Sequence, residues 1–252
     1  MKADIESKCK EIALRIGIDP QKYVSPEVTL KIANLMTFHI TFISTLIKPV
    51  IGLNIIFLIA SVFLGILYGS ILFGVLFFIF STVISFFSGG LYGLKNFLEM
   101  TIKDMNDIVQ YSLGIVNRIA GDVERLKVTA SSYTVSDILR LVMYGITIPQ
   151  VEIAINSKIP VFKSHVYRFA EVLLLQTTEK LAENIDKNIS VKDLNVSKLS
   201  KASELLNPIA GKANQIAKMA VRKPLQYMNI AILTLTIIGS IPLGLLVMIF
   251  KS

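Results

Sequence analysis

Between Lys48 and Lys95 the chain runs for 46 residues without an Asp, Glu, Lys, Arg or His. Drawn as one helix, that stretch would be about 69 Å long, against a hydrocarbon core of about 30 Å. One crossing is too few and two fit. The break falls at Tyr68-Gly69-Ser70, which leaves roughly 19 to 24 residues on each side, the length of a span. Residues 49–94 are therefore expected to form a tight transmembrane helical hairpin.

Lipid supplies no hydrophobic push between two helices, so a close pair needs small residues that let backbones approach. Ser61, Gly65 and Gly69 recur every fourth residue before the turn. Ser81, Ser85, Gly89 and Gly93 form a similar ridge after it. These seven are the candidate helix-packing residues, within the hairpin or between copies of the chain. No ionisable group lies inside the run, whose most polar residue is Asn54. Proton and ion pathways ordinarily place such groups in the membrane interior, so their absence counts against an active transporter. A passive pore lined by backbone and hydroxyls stays open.

A second uncharged run, 27 residues from Pro224 to Phe250, is expected to be a third span. Its Gly239-Ser240-Ile241-Pro242-Leu243-Gly244 centre is expected to kink it. The fold class that follows is an all-α integral membrane protein: the hairpin over 49–94, a C-terminal transmembrane helix over 224–252, and a helical extramembrane domain over 95–223 inserted between them.

Ahead of the hairpin, residues 1–48 are read as amphipathic helices. Ile5, Cys9, Ile12 and Ile16 share one face of a first helix, with Gly17 as its C-cap and Asp19-Pro20 ending the segment. Ser25-Pro26-Glu27 is a helix start, with an N-cap, a proline at the first position and a carboxylate in the first turn. From there one helix is expected to run to Lys48. Its polar stripe is Glu27, Asn34, Thr37, Thr41, Thr45 and Lys48; the opposite face holds Leu35, Met36, Phe42, Ile43, Leu46 and Ile47, with His39 among them. A broad apolar face beside a thin polar stripe suits a helix lying in the membrane interface over 26–48. The competing reading is a further crossing, for which the 16 uncharged residues from Ile32 to Ile47 are short.

Beyond the hairpin, Leu98, Ile102, Met105, Val109, Leu113, Val116, Val123 and Leu126 keep helical spacing through 96–127. A Ser/Thr-rich break follows over 128–136, with Thr134 and Asp137 placed as a capping box. Short helices are expected at about 137–144 and 149–157, divided by Gly145 and Pro149. A longer one runs from Pro160 to about Asn188, and a polar connector occupies 189–200. Pro208 and Pro224 are expected to interrupt the helix beyond it.

Positive residues beside spans favour the cytoplasmic side. Lys48 and Lys95 stand at the two feet of the hairpin; Lys212, Lys218, Arg222 and Lys223 precede the last span. These six are the candidate contacts for anionic lipid headgroups, and they place the N-terminus and residues 96–223 in the cytoplasm. The expected partners are membrane lipids, with a homo-oligomer or membrane protein complex possible. Few aromatics interleave the basic residues, so nucleic acid is not expected.

No phosphate-cradling loop, H-E-x-x-H, CxxC or G-x-S-x-G motif is present, and no cofactor, catalytic or metal residue is assigned. Within 95–223, 18 Lys/Arg face 13 Asp/Glu, an ordinary mildly basic surface. The sequence thus points to a non-enzymatic anchor, scaffold or membrane-shaping protein whose helical domain binds partners or itself. The alternative is an oligomeric pore or transport-complex subunit.

Overall fold

The structure is a computed structural model describing residues 2–125, 134–159, 163–188 and 202–251. Among these the elements are helical throughout: α1 Lys2–Ile16, α2 Pro26–Leu35, α3 Phe38–Leu67, α4 Ile71–Arg125, α5 Val135–Val142, α6 Ile148–Lys158, α7 Lys163–Asn188 and α8 Ala202–Lys251. A 3₁₀ turn, Pro20–Tyr23, follows α1, and a π-helical segment, Met143–Thr147, joins α5 to α6. The break at 128–133, the helix start at Pro160, the 189–200 connector and the side chains of His39, Thr41 and Phe42 lie outside what is described. Four helices are long and apolar enough to cross a membrane, consistent with a multi-pass membrane protein.

The chain divides into two compact units. The first comprises Met1–His39 and Thr101–Ala220. Its core is built from the buried stripe Ile102, Met105, Ile108, Val109, Val116 and Ile119 of α4, with Leu139 and Val142 of α5 and Leu174 and Leu181 of α7. Gly17 ends α1 with φ +74°, and the amides of Gly17 and Ile18 both return to the Ala13 carbonyl. The Tyr23 hydroxyl donates to Asp122 at 3.0 Å; burial first, then Asp122, pushes the phenol up to about 12. Thr134 and Asp137 form the expected capping box at the start of α5.

Three expected helix limits are corrected. The helix drawn from 26 to 48 is two helices, broken at Met36-Thr37. In α2, Val28 and Ile32, followed by Met36 at the break, are buried in the first unit. Thr29 bonds Gln150 at 2.8 Å, and Lys158 Nζ caps the Ala33 carbonyl at 2.8 Å. Of the expected interfacial face, Met36 is thus covered by protein, whereas Ile43 and Ile47 are exposed. Two residues of its polar stripe bond to protein: the Thr37 hydroxyl donates to Asp104 at 2.8 Å, and Thr45 reaches Met100 Sδ at 3.7 Å, while Glu27, Asn34 and Lys48 are exposed. Gly145 and Pro149 do not divide two helices, because the π-helical turns carry the chain from α5 into α6 without a gap. Pro208 and Pro224 lie inside the continuous α8.

The second unit comprises Ile40–Met100 and Val221–Ser252. It holds most of α3, the first part of α4 and the last part of α8. Only 6% of the most apolar window of Ile43–Leu67 is buried, and 6% of that in Val221–Ile249. In Val135–Lys158, the fourth candidate, 72% is buried. A helix that faces lipid shows its apolar side chains outward, whereas one in a protein core hides them. This difference separates α5–α6 from the other three.

Candidate functional site

The turn between α3 and α4 is three residues, Tyr68, Gly69 and Ser70. Gly69 takes φ +62°, its amide returns to the Ile66 carbonyl at 3.1 Å, and the Ser70 amide returns to Gly65 at 3.0 Å. These are the two bonds of a Schellman ending. Ser70 then serves as N-cap of α4, its hydroxyl accepting from the Phe73 amide at 3.2 Å. Gly69 is therefore a turn residue: an added Cβ would touch nothing within 4 Å, so it is not part of the packing ridge.

Below the turn α3 and α4 run antiparallel in a regular register. Gly65 faces Gly74, Asn54 faces Ser85, Val50 faces Gly89 and Leu46 faces Gly93. Steps of eleven, four and four residues along α3 match equal steps along α4. The contact is backbone on backbone. A Cβ on Gly74 would lie 3.0 Å from the Ser61 carbonyl oxygen, and one on Gly89 would lie 2.8 Å from the Val50 Cα. A Cβ on Gly93 would lie 2.8 Å from the carbonyl oxygens of Thr45 and Leu46. Thr45 is four residues ahead of Pro49, which has no N–H to give it, so this carbonyl is left for α4 to cover.

The serines of the ridges satisfy themselves and, at one place, their neighbour. Ser61 donates to the Leu58 carbonyl at 2.7 Å and Ser81 to Phe78 at 3.0 Å. Ser85 donates to the Val50 carbonyl at 3.0 Å, while Asn54 Nδ2 donates to that carbonyl at 2.9 Å and to Ser85 Oγ at 2.8 Å. This node is a polar link between the two helices. Of the seven candidate packing residues, Gly65, Ser85, Gly89 and Gly93 meet α3–α4 partners directly, and Ser61 does so through its carbonyl. Ser81 is fully buried. Gly74 and Asn54 were missed as packing residues, although Gly74 stands one heptad before Ser81 on the same ridge.

α8 covers one face of this pair. Ile84 fills the space beside Gly239, where a Cβ would come within 2.7 Å of it. Farther along, Leu246 joins Phe73 and Phe77 in a buried cluster edged by Phe57, Leu64 and Tyr68. As α8 advances from 239 to 246, its partners on α4 recede from 84 to 77 and 73. α8 is therefore antiparallel to α4, and its C-terminal end lies beside the α3–α4 turn.

The basic candidates divide between the units. Lys48, Arg222 and Lys223 are exposed in the second, and Lys95 lies 5.9 Å above the Tyr92 ring and 3.9 Å from Glu99. Lys212 and Lys218 are exposed in the first unit. Continuing the α4–α8 register at 1.5 Å per residue brings Arg222 and Lys223 about level with Met100. Lys48 is about level with Tyr92 in the α3–α4 register. The four cations of the second unit thus share the end opposite the turn. From Ile71 to Tyr92 along α4 is about 32 Å, close to the thickness of a hydrocarbon core.

Among the described residues no group of three or more His, Cys, Asp or Glu side chains comes together. In comparisons with known families, characterised proteins and solved structures, nothing matches this chain.

Proposed function

We propose that the chain is a non-enzymatic membrane anchor, scaffold or membrane-shaping protein. α3, the first part of α4 and the end of α8 cross the bilayer as a hairpin plus one further span. The unit built on α1, α2 and α5–α7 is the cytoplasmic domain that binds partners or itself. Its Val135–Lys158 stretch serves as core rather than as a span. Lys48, Lys95, Arg222 and Lys223 meet anionic headgroups, each contributing about 1 kcal/mol near the surface. Tyr92 and Tyr227 mark the inner interface.

The observation that carries this reading is the closed seam. Glycine backbones of α4 rest on carbonyls of α3, and no ionisable side chain enters between Lys48 and Lys95. Such a seam suits a rigid anchor and leaves no lumen between its helices. An oligomeric pore is the second reading. It is favoured by a bare apolar cavity of about 540 Å³ on the hairpin, lined by Ser61, Gly65, Gly69 and Gly74 among others, where another helix could approach.

Reconstitution of the purified chain into vesicles with and without anionic lipid separates the two. The anchor reading expects ion and dye leakage no greater than in empty vesicles, with altered vesicle shape by electron microscopy if the chain also bends membranes. Leakage well above that background overturns it in favour of a pore.

A further inference from the structure

α1 is held to the first unit more lightly than α2. It packs on α5 and the π-helical segment. Among its described side chains only Ile12 and Ile16 are buried, with Cys9 and Ala13 half-buried. The shorter α2 buries Val28 and Ile32 and is tied further by the Thr29–Gln150 and Lys158–Ala33 hydrogen bonds. Along one flank α1 does not close on its neighbours. A cavity of about 800 Å³ lies between Lys10, Ala13 and Leu14 on that flank and the facing Tyr144 and Pro149. Leu14, 84% exposed, adds nothing to the grip.

The charged ties of α1 can part without leaving a buried charge alone. Arg15 pairs with Asp137 at 2.5 Å, and its side chain is 44% exposed. Asp137 also accepts from the Thr134 amide at 2.9 Å and from the Thr134 hydroxyl at 3.0 Å. Lys8 adds a favourable charge at Glu179, which Arg140 and Tyr144 both bond. If α1 leaves, each acid keeps these partners and Arg15 passes into water. Partly exposed ion pairs of this kind are weak and are screened by salt.

The chain beyond α1 is fixed. The Tyr23 hydroxyl holds the Pro20–Tyr23 turn to Asp122 at 3.0 Å. Between this post and α1 stands Gly17, at φ +74° with open space around its Cβ position. A fixed post, a glycine pivot and a lightly held helix make a hinged strap. What it lies on is part of Val135–Lys158, the stretch with the composition of a span that the fold keeps as core.

We propose that α1 is a releasable strap, swinging off as one unit about Gly17, with ionic strength setting how often it does so. Release opens the cavity into a groove along α5 and the π-helical segment. The device operates within the first unit whether the chain is an anchor or a pore.

Detached, a 15-residue helix does not persist alone in water, so amide exchange reads the opening directly. The test follows the full chain in nanodiscs by hydrogen–deuterium exchange with peptide mass spectrometry. Amides of residues 7–16 are expected to share one protection factor, about tenfold or more below that of residues 30–35. Raising the salt from about 0.1 M to about 1 M, which shortens the screening length from about 10 Å to about 3 Å, should speed their exchange severalfold. Arg15→Gln should speed it at low salt and blunt the salt response. Gly145→Cys supplies a lock, because a Cβ there would lie 2.9 Å from Cys9 Sγ, within reach of a disulfide. The oxidised variant should exchange at residues 7–16 at least about tenfold more slowly than its reduced form, and salt should no longer matter. Intact mass confirms the bond, and circular dichroism confirms that the variants keep their helices. Equal protection of residues 7–16 and 30–35, no response to salt or to Arg15→Gln, failure of the disulfide to form, or unslowed exchange in the locked variant would each overturn the proposal.

Discussion

At Gly93 a single added methyl group would meet two backbone oxygens at 2.8 Å, and backbone cannot swing aside as a side chain can. Gly93→Ala is therefore expected to destabilise the second unit by about 1–3 kcal/mol, the usual cost of overpacking. Three residues away, Gly90 has nothing within 4 Å of the same methyl position. Gly90→Ala should leave stability unchanged or raise it by about 0.5–1 kcal/mol, the helix advantage of alanine over glycine. Thermal unfolding in detergent compares them; equal melting temperatures for the two variants would contradict the seam. Gly65 and Gly69 separate in the same way. At Gly65 a Cβ makes ordinary contacts at 3.5 Å, so Gly65→Ala should be mild. Gly69→Ala should cost about 1–2 kcal/mol through its left-handed backbone although nothing touches it. The fourfold spacing made most of these residues legible in sequence. It could not reveal that Gly69 leaves the ridge for the turn, because a Schellman glycine and a packing glycine look alike on paper.

Elements were harder to read than residues. The stripe from Glu27 to Lys48 was drawn on one helix, and the break at Met36-Thr37 divides it between two. Asp104 bonds Thr37 and Met100 meets Thr45, and the helix breaks where Asp104 takes the Thr37 amide and hydroxyl. Thr37→Val removes the hydroxyl from a carboxylate that is 2% exposed, and a loss of about 1–3 kcal/mol is expected in chemical unfolding of the first unit. A loss no larger than for an exposed control in the same unit, such as Ser164→Ala, would count against the clasp. Prolines misled in the opposite direction. Pro208 and Pro224, expected to interrupt a helix, both sit within the continuous α8. Between α5 and α7, Arg140 and Tyr144 both bond Glu179. Burial raises the Glu179 carboxyl, but these two donors outweigh it and hold it below its ordinary value. A depressed carboxylate adds stability above its unfolded pKa, and that share is lost as pH falls through the folded value. Glu179→Gln should therefore narrow the stability gap to the parent as pH drops below about 4.5, in melting temperatures taken across the acid range. A gap independent of pH there would contradict the assignment.

For the whole molecule, the uncharged run and its bracketing lysines were the strongest signal in the sequence, and the turn lies where they placed it. The composition of Val135–Lys158 would also permit a span; its burial, visible only in three dimensions, argues against one. The account rests on α3 and α4 carrying the chain across the bilayer and back, with α8 crossing a third time. The direct measurement is thiol accessibility in intact cells or sealed vesicles, starting from Cys9→Ala and adding one cysteine at a time by Ser70→Cys, Glu183→Cys or Lys251→Cys. An impermeant maleimide should label positions 70 and 251 from one side of the membrane and position 183 only from the other. Labelling of positions 70 and 183 from the same side of a sealed membrane would contradict the hairpin, and with it the account.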